Sequence, residues 1–97
     1  MHHRTGAMVA AALFLTSCAS MIDKPLASMV GQPIDAAISR FGFPTEEKTI
    51  AGHKVYRWVR NRSLQGNAMS CELNYEVDGA GTITRYSWEG QLAACQF

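Results

Sequence analysis

Met69-Ser70-Cys71-Glu72-Leu73-Asn74-Tyr75-Glu76-Val77 alternates without a break. Cys71, Leu73, Tyr75 and Val77 fall on one side of an extended chain, and Ser70, Glu72, Asn74 and Glu76 fall on the other. A stretch of this kind is a half-buried strand of an antiparallel sheet, and its apolar side needs a covering layer. Downstream, Asp78-Gly79-Ala80-Gly81 reads as a turn and Thr82 to Trp88 as a further strand. Upstream, His53 to Arg60 reads as a strand, followed by a polar loop over Asn61 to Asn67. Connections this short predict an antiparallel three-stranded meander with the Met69–Val77 strand in the middle. If Leu73 and Tyr75 face inward, Tyr56 and Trp58 join them from one neighbour, and Tyr86 and Trp88 from the other. The opposite face then carries Val55, Arg57, Val59, Ile83 and Arg85 beside Glu72, Asn74 and Glu76.

The covering layer is read from the segment before the strands. Gln32-Pro33-Ile34-Asp35 has the composition of a helix start, with proline where a missing N–H costs nothing and an acid in the first turn. Ile34, Ala37, Ile38 and Phe41 follow the i, i+3, i+4, i+7 spacing of one buried face. Gly42 suits a left-handed closing residue, Phe43 is expected to fold back on Ile38, and Pro44 prevents continuation. Ala19 to Val30 reads as a tether with at most one helical turn around Leu26 to Val30. The expected fold class is therefore α+β: one short helix, with a second partial one as the alternative, packed on a three-stranded antiparallel meander.

The first residues have a different character. Met1-His2-His3-Arg4-Thr5 is weakly basic, and an apolar stretch runs from Gly6 to Leu15. About ten apolar residues are too few for a bilayer span, which needs about 20, but they suit a secretory signal. Leu15-Thr16-Ser17-Cys18 resembles the lipobox, in which cleavage precedes a cysteine that takes a diacylglycerol unit and further acylation, palmitate included. The expected organisation is a lipoprotein signal peptide over 1–17, a lipidated N-terminus and tether over 18–30, and a small α+β domain over 31–97. Ala19 and Ser20 follow the cysteine where an aspartate would favour inner-membrane retention, so the outer membrane is the expected destination, with the domain in the periplasm.

Cleavage leaves 80 of the 97 residues, close to the size at which one apolar core barely offsets the entropy of folding. With Cys18 assigned to lipid, Cys71 and Cys95 remain of the three cysteines as a disulfide pair. The alternative is two unpaired thiols. Arg4 is the one charged side chain removed, so 9 Lys+Arg and 8 Asp+Glu become an even balance. An even balance offers no electrostatic reason for nucleic acid to bind.

Residues for catalysis do not assemble. His53 is the one histidine after the leader, and a strand start is an ordinary place for a surface histidine. Glu46 and Glu47 are adjacent in an expected loop and read as solvated. One histidine and two cysteines match no metal pattern, and the turn glycines lack the Lys-Ser/Thr of a phosphate loop. The expectation is no enzyme, no metal and no cofactor. The aromatic set Tyr56, Trp58, Tyr75, Tyr86 and Trp88 reads as core before it reads as a ligand groove.

Taken in order, a Gly-x-x-Ile helix ending in Phe41-Gly42-Phe43-Pro44, a strand with Tyr56-Arg57-Trp58, and an Asp-x-x-Gly turn at Asp78 to Gly81 leading to Thr82-Ile83 form a pattern. It is similar to the SmpA/OmlA (BamE-like) family of small lipoproteins, and the unit resembles half of the β-lactamase-inhibitor-protein fold. A short or missing first helix and the Cys71/Cys95 pair depart from that pattern. The resemblance implies an accessory role in outer-membrane assembly or envelope integrity. A membrane-anchored, non-catalytic protein-binding module follows as the first expectation, with Val55, Arg57, Val59, Ile83 and Arg85 as its partner surface. The alternative is an inhibitor or small-ligand-binding lipoprotein that uses the sheet face.

Overall fold

The computed structural model describes residues 20–97. The leader and Cys18 lie outside the described residues.

Residues 20–27 are helical (α1), and residues 28–31 form the turn that follows. This segment is not a tether: Leu26 and Met29 are almost wholly buried and Ile22 packs against the same core. Ile22, Leu26 and Met29 recur at helical spacing, which puts them on one side of the chain. The helix is pinned by side chains far away in sequence. Tyr75 Oη donates to Leu26 O (2.7 Å), and Asp23 accepts hydrogen bonds from Tyr86 Oη (2.8 Å) and Trp88 Nε1 (3.0 Å).

The second helix, α2, spans Ile34–Phe41 and buries Ile34, Ala37 and Phe41, with Ile38 partly buried beside them. Pro33 at its N-cap has no side-chain cap, and Gly81 O accepts the Ile34 N–H instead (2.9 Å). Gly42 closes the helix at φ 89°, its N–H bonded to Ile38 O. Phe43 does not fold back on Ile38: it is 90% exposed. Trp58 Nε1 donates to Gly42 O (2.9 Å) and draws the chain towards the sheet, which leaves the next side chain outside.

The sheet has four antiparallel strands, not three, in the order β1-β2-β3-β4. They are β1 (Glu46–Ile50), β2 (His53–Leu64), β3 (Asn67–Val77) and β4 (Ile83–Gly90). The expected loop at Glu46-Glu47 is β1, and the expected loop over Asn61 to Asn67 is the far end of a hairpin. Both were obscured for one reason. The side chains of β1 and of the hairpin end are exposed on both faces, so no apolar alternation marks them. Tight two-residue turns make them possible: Ala51-Gly52 and Gln65-Gly66 all have positive φ, between 50° and 82°. That backbone matches the twist of paired strands.

The alternation of β3 is confirmed, with Cys71, Leu73, Tyr75 and Val77 buried. Tyr56 and Trp58 are buried from β2, and Phe41 sits among the rings, edge-on to Trp58 and stacked on Tyr75. Tyr86 and Trp88 are partly buried against the same core. The aromatic set is core packing.

Cys71 and Cys95 form a disulfide with a Cα–Cα distance of 5.0 Å. It fastens the C-terminal tail over the end of the core, where Phe97 meets Phe41 edge-on. Gly90 makes the bend into that tail at φ 137°, and a Cβ there would lie within 2.7 Å of the Cys71 Cα. Only glycine fits.

Burial pushes the Tyr75 phenol above its ordinary value, and the hydrogen bond to Asp23 does the same for Tyr86. Both groups are therefore protonated in the fold when the unfolded chain begins to ionise, at about pH 10. Their contribution is complete below that pH and is lost as pH rises towards the folded values. Urea midpoints are expected to hold constant from neutrality to about pH 9.5 and to fall steeply above about pH 10. Tyr75→Phe should flatten that fall, while costing about 1–3 kcal/mol at neutral pH through the orphaned Leu26 carbonyl. Midpoints with the same pH dependence in wild type and Tyr75→Phe would count against the buried phenol as the cause.

Candidate functional site: the open sheet face

One face of the sheet is covered by α1, α2 and the tail; among the described residues nothing covers the other. Strand register decides which side chains stand on the bare face. Glu46 lies opposite Arg57, Lys48 opposite Val55, and Ile50 opposite His53. Arg57 in turn faces Asn74, Val55 faces Glu76, and Val59 faces Glu72. Ser87 and Arg85 complete the row from β4, opposite Asn74 and Glu76. These strands form a shallow open depression of ≈ 440 Å³ lined by Ile50, Val55, Arg57, Glu72, Asn74 and Arg85, among others.

Arg57 is the centre of the face. Its Nη1 donates to Glu46 Oε1 (2.8 Å) and its Nη2 pairs with Glu72 Oε1. Lys48 Nζ lies 3.4 Å from the same Glu46 oxygen, and Asn74 Nδ2 donates to Glu72 Oε2 (2.9 Å). The guanidinium is therefore held flat across three strands. Arg57 Nε is buried and has no partner among the described residues. The Arg57 hydrogen bond, followed by the charge of Lys48, holds the Glu46 carboxyl below the usual carboxylate range. Glu46 in turn raises the guanidinium further above an already high value. Arg57 and Glu46 are therefore both charged at every physiological pH.

Of the residues expected on this face, Val55, Arg57, Val59 and Arg85 are there, and Val55, Arg57 and Arg85 line the depression. Ile83 is not: it is 1% exposed, in the core opposite Val77. A bulge between Glu76 and Val77 is the cause, because Arg85 pairs with Glu76 and Ile83 with Val77, leaving Thr84 over. One extra residue turns Ile83 to the other face. Glu46 and Lys48 were missed; the one local signal for their strand was the glycine of the Ala51-Gly52 turn, since the strand itself shows no apolar alternation. Asp23 was missed too; its clue was the helical spacing of Ile22, Leu26 and Met29.

His53 stands at the rim, 63% exposed in its side chain, with Nδ1 3.5 Å from Glu76 Oε1. Glu46 and Glu47 point to opposite faces, Glu47 pairing with Lys54 (2.7 Å). Among the described residues no group of three His, Cys, Asp or Glu is placed to hold a metal ion. Among them, too, no helix is long and apolar enough to cross a membrane. Such a surface is suited to recognition: a preset cation, carboxylates at fixed positions, and aliphatic contact area at Ile50, Val55 and Val59. Comparisons with protein families, with curated proteins and with solved structures yield no match, so the open face rests on its own geometry.

Proposed function

We propose that the chain is an exported lipoprotein, anchored through acylated Cys18, whose open sheet face docks another protein of the cell envelope without chemistry of its own. The observation that carries this reading is the Arg57 network, spread over an uncovered face that four strands build together. Holding an arginine in place before binding removes part of the ordering cost of an interface, and arginine is a favoured interface anchor. Export is supported by the Leu15-Thr16-Ser17-Cys18 motif and by the disulfide, which persists in oxidising compartments. Because the helix includes Ser20, two residues after Cys18, the chain between them can reach at most about 7 Å. A domain on so short a leash meets its partner next to the bilayer. The outer membrane is the proposed location, and an accessory role in envelope assembly is the part of the proposal that rests on the SmpA/OmlA resemblance.

The test places a photoreactive amino acid at Val55 in the full-length protein in cells and identifies the captured protein by mass spectrometry. Capture of one envelope protein, reduced about tenfold or more by Arg57→Glu and by Val59→Asp, is the expected result. Capture that both variants leave unchanged would remove the open face from consideration. Cys18→Ser should abolish incorporation of labelled palmitate, and incorporation that survives it would refute the anchor.

A further inference from the structure

The hairpin of β2 and β3 runs past its neighbours and forms an arm with two edges. One edge is closed. Where β3 outruns β4, Gln91 takes over: its N–H donates to Ser70 O (3.1 Å) and its Oε1 accepts the Ser70 N–H (3.0 Å). The other edge is open. β1 reaches only as far as Arg57, and Thr45 Oγ1 accepts the Val59 N–H (2.9 Å) just beyond it. Leu64 and Asn67 close a two-residue hairpin, so Leu64, Arg62 and Arg60 turn their main-chain groups towards β3. Asn61 and Ser63 must then turn theirs outward, where no described residue meets them.

An unpaired row of N–H and C=O groups is a template for another strand. Charge selects which strand. From Trp58 to Cys71 the arm contains Arg60 and Arg62 and no acidic residue. Both guanidinium groups rest on neutral carbonyls, Arg60 on Phe41 O (2.7 Å) and Arg62 on Ala93 O (2.9 Å), and among the described residues neither has an ion-pair partner. A second copy is a poor occupant. Antiparallel pairing of this edge with itself, centred on Asn61, sets Arg60 against Arg62 of the other copy. Moving the centre one residue either way sets Arg60 or Arg62 against itself, and like charges placed directly opposite are destabilising.

We propose that the edge from Asn61 to Leu64 receives an extended segment of a partner protein with acidic residues at alternate positions, added as a further strand beside β2. The acids would lie opposite Arg60 and Arg62 while the main chain bonds to Asn61 and Ser63. Phe43, two residues before Thr45 in the chain, is 90% exposed. This edge is separate from the Arg57 face, so either proposal can fail alone.

The experiment uses the isotope-labelled full-length protein in detergent and a capped probe peptide, Thr-Glu-Val-Glu-Val-Glu-Thr. Amide shifts concentrated at Asn61, Arg62 and Ser63 are expected, with binding about tenfold or more weaker when lysine replaces each glutamate. Asn61→Pro removes an outward N–H but no bond to β3, and should abolish the shifts; Ser63→Pro serves if that variant does not fold. Arg62→Glu should reverse the preference between the two peptides, and Arg57→Glu should leave binding unchanged. Absence of shifts at about 1 mM peptide, equal binding of the lysine peptide, or full binding by the proline variants would overturn the proposal.

Discussion

Replacing both cysteines of the Cys71–Cys95 bridge with alanine is expected to lower the unfolding free energy by about 3.5 kcal/mol. The bridge closes a loop with a sequence separation of 24, and opening it returns that loop's freedom to the unfolded chain. A domain of this size has about 5–10 kcal/mol in total, so the loss is a large share of what holds it together. The folded state loses as well. Cys71, Cys95 and Ala94 form a small buried cluster that joins the tail to the end of the core. Without it, only contacts such as Phe97 on Phe41 and the Arg62 hydrogen bond to Ala93 retain the tail. Urea unfolding of the double variant beside wild type measures the difference; a loss below about 1 kcal/mol would show that the tail is held mainly by packing. Both cysteines are 1% exposed, so reductant is expected to act on the unfolded chain far faster than on the native one.

Trp58→Ala is expected to cost about 3–5 kcal/mol, the range for emptying a fully buried aromatic position. Trp58 is 2% exposed, edge-on to both Phe41 and Tyr75, so its removal opens a cavity between α2 and the sheet. Trp58→Phe separates the two roles of the indole. It keeps most of the ring contact but removes the bond to Gly42 O, which fixes the loop between α2 and β1. That carbonyl belongs to an exposed residue and water can replace the donor, so Trp58→Phe should cost about 1–2 kcal/mol. A phenylalanine variant as unstable as the alanine variant would mean that the loop bond, and not the cavity, dominates.

The parts of this fold that were legible in the sequence are those where one period runs over a half-buried element. The Ile34–Phe41 helix and the alternation of Met69–Val77 belong here, as does the inward placement of Tyr56 and Trp58. What stayed hidden was exposed on both faces. Glu46–Ile50 has no apolar side to reveal it, and a two-residue turn of Gln65-Gly66 inside a polar stretch looks like loop. Helix α1 was hidden for another reason: its inward residues are few, and its partners, Tyr75, Tyr86 and Trp88, lie some 50 to 65 residues away in sequence.

By itself the sequence determined the α+β class, the apolar face of the sheet, the helix that covers it and the cysteines left to pair, because side-chain period and residue count act locally. Only the tertiary structure decided the fourth strand, the removal of Ile83 to the core, the Arg57–Glu46–Glu72 network and the open edge at Asn61 and Ser63. Each of these depends on register and on where one strand stops beside another. Register is a relation between segments, fixed by turns, a bulge and mutual burial, and no single segment encodes it.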